Sequence, residues 1–299
     1  MDNQDISQIA VTVGVLLMMS FYGSVILTIF KRRHSKLRGT FFMLFASLGL
    51  ADMVMLAKTP LFNSLPPLLI RHWPASRPYV TSSFYMTLRA FFNWGGYWAQ
   101  AMALVVLSYN RVTSLWTMSE DEHTWTKTGT KRGLILPWVC GALVNLPMVH
   151  PCCRSVVSNN MTADSTFEDF EVMMTYYKFS AYTETYLLAP MLIIFHLLMI
   201  WKAMEHRKAV SPLGSQGVSR MKMEGRFAIL GAVLCGLYLA LVFNWQLLWI
   251  YGDYFNHYHK LSVIVLQFVF ACANPFLLFF FSKHFRTVFF EVIACKPDE

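Results

Sequence analysis

The segment QIAVTVGVLLMMSFYGSVILTIF, residues 8–30, contains no charged side chain. A helix that crosses the hydrocarbon core of a bilayer, roughly 30 Å thick, needs about 20 mostly apolar residues. This segment is long enough to do so. The rest of the chain has the same character, because 56% of its 299 residues are hydrophobic and only 14% are charged. Soluble domains average about 25% charged residues, so the sequence predicts a membrane protein.

Further apolar runs of similar length follow the first one along the chain. Pro60 is expected to end the second run early, and the fourth run carries Pro137 and Pro147. Proline is tolerated in a membrane helix whose neighbours satisfy the freed carbonyl groups. With the first run, seven segments are predicted to cross the bilayer: 8–30, 40–62, 84–109, 132–150, 179–202, 226–251 and 260–282.

The predicted fold is an all-α membrane protein, a seven-transmembrane helix bundle with its N-terminus outside. No internal repeat or low-complexity segment divides the chain, so residues 1–299 are predicted to form one domain. Its parts are an extracellular tail at 1–7, the helix bundle at 8–282 and a cytoplasmic amphipathic tail at 283–299.

The C-terminal tail KHFRTVFFEVIACKPDE follows the last run. Its apolar residues recur at helical spacing on one face, which suits a short amphipathic helix lying on the inner leaflet of the membrane. These residues are Phe285, Val288, Phe289, Val292 and Ile293. Cys295, at the end of this helix, is a candidate for palmitoylation, and a free reduced thiol is the alternative.

The orientation follows from the basic residues, because cytoplasmic loops retain Lys and Arg. With the N-terminus outside, most of the 25 lysine and arginine residues fall on the cytoplasmic side. The first ten residues contain two Asp and no basic residue, so they lack the positive region of a cleaved signal peptide. The net charge of +8 then indicates cytoplasmic faces that meet anionic membrane lipid and acidic partners, not nucleic acid.

The loop between the fourth and fifth runs carries two further features. Asn160-Met161-Thr162 is a glycosylation sequon on the predicted outer side. Cys152 and Cys153 are adjacent, so an intermolecular disulfide and free thiols are the alternatives. The sequon agrees with the orientation that the charges predict.

Polar and aromatic side chains gather in the outer halves of several helices. In an N-out bundle they converge at one level, which is the pattern of a ligand cavity with apolar walls and a few polar groups. Interfacial belts of Trp and Tyr explain the aromatic members equally well. Asn244 and Gln246 lie two apart on one helix, so at most one of them is expected to face the cavity. The candidate ligand-binding residues are Asn93, Tyr97, Glu184, Asn244, Gln246 and Gln267.

Two polar groups lie deeper in the membrane. Asp52 lies near the midplane, where an acid is costly and requires a partner or a function. Its predicted partner is Asn274, beside Pro275, whose ring frees a carbonyl and creates a kink or hinge. Two roles of Asp52 are both open: a static contact that locks two helices, or a role in switching.

Arg111 closes the third run at the cytoplasmic end. Asn110 precedes it, so no adjacent carboxylate restrains the guanidinium. Glu224, near the start of the sixth run, is the predicted substitute partner across the bundle. Snorkelling of the arginine to the interface is the alternative.

No catalytic motif is present: the sequence has no HExxH, no GxSxG and no glycine-rich phosphate loop followed by lysine. The histidines do not share a helical face, so no metal site and no cofactor are predicted. The 261–282 segment has no lysine for the Schiff base of a light-driven pump. The remaining functions are a receptor, or a channel or transport subunit.

Several segments, in their order along the chain, resemble the rhodopsin-like G-protein-coupled receptors. They are SLGLADMVML, Arg111, Trp138, Pro190 and the Asn274-Pro275 pair. LSYNRVTSLW, with Trp125 and the final NPFLLFFFSKHFR, is similar to the nematode serpentine chemoreceptors of the SRG group, class V or class gamma. The resemblance covers essentially the whole chain.

The resemblance implies a multi-pass receptor of the plasma membrane, in a sensory cilium, that binds an odorant or pheromone-like small molecule and activates a heterotrimeric G protein. It assigns G-protein coupling to Arg111, the acid of the second helix to Asp52 and the hinge of the seventh helix to Asn274 and Pro275. Ser24 and Leu278 depart from the family's usual Asn and Tyr, so the sodium site and the standard activation relay are not implied.

Overall fold

The computed structural model describes residues 3–31, 40–116, 125–149, 155–157, 165–167, 170–209, 215–251 and 257–294. The first half begins with α1 (Asn3–Lys31) and α2 (Thr40–Lys58), which continues through a π turn (Thr59–Ser64) into α3 (Leu65–His72). A 3₁₀ turn (Pro74–Ser76) and α4 (Arg77–Val80) lead to α5 (Ser83–Ala90), a second π turn (Phe91–Gly95) and α6 (Gly96–Trp116).

The second half begins with α7 (Lys127–Asn145) and a 3₁₀ turn (Leu146–Val149). A small antiparallel pair follows, β1 (Ser155–Val157) and β2 (Ser165–Phe167), with Ser155 opposite Phe167. Then come α8 (Phe170–Thr183), a third π turn (Glu184–Leu188), α9 (Ala189–Ala209), α10 (Ser215–Tyr251), α11 (His257–Phe281) and α12 (Lys283–Ile293).

These elements form seven long helical segments in the described ranges. The second segment is α2 with α3, the third is α5 with α6, and the fifth is α8 with α9, each pair joined by its π turn. We call the end that holds the start of α1 the outer end and the opposite end the inner end, following the charge distribution. The predicted helical membrane bundle is confirmed, with the short β pair as its one addition.

Four described segments are long and apolar enough to cross a bilayer by composition alone, with mean hydropathies from 1.9 to 2.2. They are Gln8–Lys31, Thr40–Phe62, Lys178–Glu205 and Gly225–Leu247. The seventh segment meets the same test only when it is taken together with α12. The axes of these two helices are bent by 101°. The mean hydropathy of the third segment is too low for this test, because the segment carries polar residues that face protein and not lipid.

Helix α6 lies at the centre of the bundle and contacts α2, α7, α9 and α10. Most of its side chains are buried. The main apolar core joins it to its neighbours through Phe45, Leu104, Leu192, Leu230 and Tyr238. A helix in this position can hold polar groups inside the bundle, and α6 holds Gln100, Asn110 and Arg111 there.

Several predicted helix boundaries are wrong, most of all in the sixth segment, which begins at Ser215 and not at residue 226. The second segment does not stop at Pro60, because the π turn Thr59–Ser64 takes up the proline and the helix continues. The third does not close at Arg111 but runs on to Trp116. The first begins at Asn3, earlier than the predicted start at residue 8.

Asp5 accounts for the early start of α1. It is buried and accepts a hydrogen bond from Nη1 of Arg71 at 2.7 Å, while Nε2 of His72 lies 3.2 Å from its other oxygen. The acid lies in the first turn of the helix, where it is also favoured by the helix dipole. The outer end of the first segment is thereby tied to the end of the second.

The third and fourth segments approach each other at two glycines. A Cβ added to Gly95 would collide with the amide of Asn145, and one added to Gly141 would collide with the carbonyl oxygen of Gly95. Asn145 also donates from Nδ2 to the carbonyl of Gly141 at 2.8 Å. This close approach fixes the π turn of the third segment against α7.

Helix α12 has the amphipathic pattern that the sequence predicts, but much of its apolar face packs on the bundle. Phe285, Val288 and Phe289 are buried, and Phe289 lies 6.1 Å from Phe21 of α1, centroid to centroid. Ser282 caps the helix by accepting a hydrogen bond from the backbone N–H of Phe285. The tail helix is therefore fixed to the inner end of the first and seventh segments.

Candidate functional site

A cavity lies in the outer half of the bundle, among the third, fifth, sixth and seventh segments. It is lined by Asn93, Trp94, Tyr97, Ala181, Glu184, Trp245, Gln246 and Gln267. The structure thus brings together five of the six predicted ligand-binding residues. Ligand binding by these residues remains a prediction.

Asn244 is the predicted residue that does not line the cavity. Its Nδ2 donates to the carbonyl oxygen of Ala240 in its own helix at 2.9 Å. Gln246 faces inward instead and donates from Nε2 to Oγ1 of Thr185 at 2.7 Å and to the carbonyl of Ala181 at 3.2 Å. This agrees with the expectation that only one of the two faces the cavity.

The cavity is narrow. Its volume is about 30 Å³, and a water molecule needs about 10–15 Å³ measured in this way. Sites for small ligands are typically about 300–1,000 Å³. The walls must move apart before anything larger than water enters, and the hydrogen bonds from Gln246 to the fifth segment are among the contacts that hold them together.

Lys58 is a residue of this site that the sequence analysis does not identify. It lies in the last turn of α2, and its Nζ donates to Oδ1 of Asn93 at 2.8 Å and to Oε1 of Gln267 at 3.2 Å. One cation therefore connects the second, third and seventh segments beside the cavity. The available signal was a lysine placed within the apolar 40–62 run.

The π turns are the second feature that the sequence did not reveal. Asn93 and Trp94 lie in the second π turn and Glu184 opens the third, while Lys58 directly precedes the first. A π turn inserts an extra residue and rotates the side chains around it, and such turns are frequent at functional sites. Here they aim polar side chains of three segments at one place.

Asp52 lies in the middle of the bundle and is fully buried. It accepts hydrogen bonds from the hydroxyl of Tyr22, the amide of Gln100 and the amide of Asn274. The predicted contact with Asn274 is present. The sequence did not identify Tyr22 and Gln100, which extend the cluster to the first and third segments.

Arg111 is buried near the inner end. Its guanidinium carbon lies 4.0 Å from the ring centroid of Phe41 and 5.5 Å from that of Phe227, and Nη2 donates to Oδ1 of Asn110 at 3.2 Å. Two aromatic rings of the second and sixth segments thus hold the cation, and its neighbour Asn110 is an acceptor for it. The snorkelling alternative does not fit this burial.

Some predicted residues lie outside what the structure describes. Cys152, Cys153, Asn160 and Cys295 are outside the described ranges, and the backbone of Glu224 lies in α10 without a described side chain. Among the described residues, no group of three or more His, Cys, Asp or Glu side chains could hold a metal ion. Cys140, Cys235 and Cys272 are free thiols and lie in helices.

The sequence matches the family described as serpentine type 7TM GPCR chemoreceptor Srv over residues 11–295. No curated protein matches it. The matched range contains most of α1, together with the outer cavity, the Asp52 cluster, Arg111 and α12. The family accounts for the arrangement of the helices and agrees with the predicted kinship to serpentine chemoreceptors. The chain therefore belongs to the Srv family of serpentine seven-transmembrane chemoreceptors.

Proposed function

We propose that this receptor binds a small external ligand in the outer cavity and activates a heterotrimeric G protein at its inner end. The observation that carries the proposal is the course of α6. This one buried helix lines the cavity with Tyr97, donates to Asp52 from Gln100 and carries Arg111. Tyr97 and Arg111 are about 21 Å apart along its axis at 1.5 Å per residue.

A ligand can shift the equilibrium between two conformations of a receptor only if it binds them with unequal affinity. The outer cavity meets this condition, because its volume of about 30 Å³ must increase to accept anything but water. Opening it requires movement of the third, fifth, sixth or seventh segment. We infer that the ligand selects a state in which these segments have separated.

At the inner end, the same movement acts on Arg111. Arg111 is held between Phe41 of the second segment and Phe227 of the sixth. Displacement of the sixth segment takes Phe227 off the guanidinium and exposes the cation to a partner. Glu224, Asn274 and Pro275 are the further residues proposed to take part in this switch.

The narrower assignments are also proposals. LSYNRVTSLW and NPFLLFFFSKHFR support membership of the SRG group, with a ligand of the odorant or pheromone type. The resemblance supports a location in the plasma membrane of a sensory cilium. Glycosylation of Asn160 and palmitoylation of Cys295 rest on their sequence contexts and on the proposed topology.

The experiment that tests the function expresses the full chain in cells with an added promiscuous Gα subunit. Odorants and pheromone-like compounds are applied, and calcium release is recorded together with membrane conductance. A receptor gives calcium release that requires the added Gα. Conductance that appears without Gα would instead support a channel or transport subunit.

Arg111→Gln is the matched variant for this experiment. It is expected to abolish the Gα-dependent signal while surface expression remains. Arg132→Gln is the control, because it removes the same charge from an exposed position at the start of α7. Equal signals from both variants would contradict a coupling role for Arg111.

A further inference from the structure

Buried polar atoms that lack well-formed hydrogen bonds lie at the outer cavity, which Tyr97 and Glu184 line, and beside it, where Tyr238 packs against Tyr97. The hydroxyl oxygens of Tyr97 and Tyr238 and Oε1 of Glu184 are buried, and no hydrogen bond of good geometry satisfies them in the described structure, although Tyr97 lies within interaction range of both Glu184 and Tyr238. The two tyrosine rings stack with centroids 6.4 Å apart, and both tyrosines interact electrostatically with Glu184. Buried polar groups without partners are costly, so this cluster is suited to receive a polar group from outside.

The chemistry of the cluster favours a donor. An ionised carboxylate only accepts hydrogen bonds, and a phenol hydroxyl either accepts or donates. The indole rings of Trp94 and Trp245 line the same cavity with centroids 6.5 Å apart. Aromatic faces attract cations. A carboxylate, two phenols and two indoles are together complementary to an ammonium group.

Two of the other acceptors that line the cavity already accept from a cation. Oδ1 of Asn93 and Oε1 of Gln267 both accept from Lys58. Glu184 is the one acidic side chain among the residues that line the cavity, so an incoming cation is directed to it. The positive charge of Lys58 beside the cavity also disfavours a second cation on the ligand.

We propose that the ligand of the outer cavity is a small monoamine whose ammonium group binds among Glu184, Tyr97 and Tyr238. This rests on the proposed function as a receptor for a small external molecule. The ammonium donates to the carboxylate and to the phenol oxygens, with its flanks against the indole rings. Lys58 selects against diamines.

Direct binding tests the inference without any G protein, so its failure is distinct from failure of coupling. The full-length protein in lipid nanodiscs is titrated with phenethylamine and isoamylamine, with the corresponding alcohols and with the diamine cadaverine. We expect the monoamines to bind and to raise the melting temperature. The alcohols, which match them in shape without the charge, and cadaverine are expected to bind at least about tenfold more weakly.

Glu184→Gln removes the carboxylate and keeps the size of the side chain. It is expected to weaken monoamine binding by about tenfold to a hundredfold. Glu171→Gln is the control, because it makes the same change at an exposed position of the same segment. Equal weakening by both variants, alcohols that bind as well as amines, or a folded wild type that binds none of the monoamines would each overturn the proposal.

Discussion

Asp52 shows how one acid is kept inside a membrane bundle. A carboxylate away from water needs donors, and Asp52 has three, from the first, third and seventh segments. The cluster therefore joins three helices to the second one at one point. Its stability depends on each donor, since removal of one leaves a buried acceptor short of a partner.

Tyr22→Phe is expected to destabilise the protein by about 1–3 kcal/mol, because it removes one donor from a buried carboxylate and little else. The measurement is the thermal unfolding of the purified protein in detergent. Tyr186→Phe removes the same hydroxyl from an exposed ring and is expected to have no effect. Equal melting temperatures for wild type and Tyr22→Phe would contradict the role of this hydrogen bond.

Arg111 contacts the rings of Phe41 and Phe227, and its predicted contact with Glu224 stays a prediction, because that side chain lies outside what the structure describes. Phe227→Leu is expected to raise basal Gα-dependent signalling about twofold to thirtyfold, since a cation–π contact contributes about 0.5–2 kcal/mol. Signalling is normalised to surface expression. Phe243→Leu, at an exposed position of the same helix, is the control.

Reversal of the charge with Glu224→Lys separates the two explanations. If an ionic contact holds Arg111, this variant raises basal signalling and Phe227→Leu does not. If the rings hold it, the outcome is the opposite. An increase in both variants would mean that the two contacts act together.

At the scale of the helices, the bends and close approaches position the site. The three π turns lie in the second, third and fifth segments and place Lys58, Asn93 and Glu184 around one cavity. The turn of the third segment is held against α7 by contact at Gly95 and Gly141. A change at this contact is expected to act on the cavity as well as on stability.

Gly141→Val is expected to destabilise the bundle by about 1–3 kcal/mol, as overpacking does, because its Cβ would collide with the backbone of Gly95. The measurements are folded yield and thermal unfolding. Gly23→Val is the control, since nothing lies within 4 Å of a Cβ at Gly23 and both changes have the same helix propensity. Similar losses in the two variants would assign the effect to propensity instead of packing.

The π turns could not be predicted from the sequence. They depend on which neighbouring helix an extra residue packs against, and no residue pattern marks them. The continuation of the second segment beyond Pro60 could not be predicted for the same reason. A proline ends a helix unless the turn around it widens. The amphipathic α12 was predictable, because its periodicity lies within one short segment.

For the molecule as a whole, the orientation determines what each site can meet. The cavity lies in the outer half of the bundle, and described basic residues such as Arg132, Lys202 and Arg286 lie towards the other end. With the N-terminus outside, a ligand reaches the cavity from the exterior and Arg111 faces cytoplasmic partners. The opposite orientation would place both sites on the wrong side of the membrane.

Glycosylation of Asn160 tests this orientation, because glycans are added only to segments on the outer side. The protein expressed in eukaryotic cells is expected to lose apparent mass after glycosidase treatment, and an epitope at Asp2 is expected to be accessible without permeabilisation. Thr162→Ala destroys the sequon and keeps Asn160, so it should remove the glycan. An unglycosylated wild type whose Asp2 epitope requires permeabilisation would contradict the N-out orientation.

The sequence by itself determined the class of protein, the number of helical segments, their order and the contact of Asp52 with Asn274. These follow from hydropathy, charge and helical rise, which are local properties of a chain in lipid. Only the tertiary structure decided that Lys58 joins Asn93 and Gln267, that Tyr22 and Gln100 complete the Asp52 cluster and that aromatic rings hold Arg111. Those contacts join segments that are far apart in the chain, so they depend on how the helices are rotated and packed against one another. The sequence of a single segment does not encode this packing.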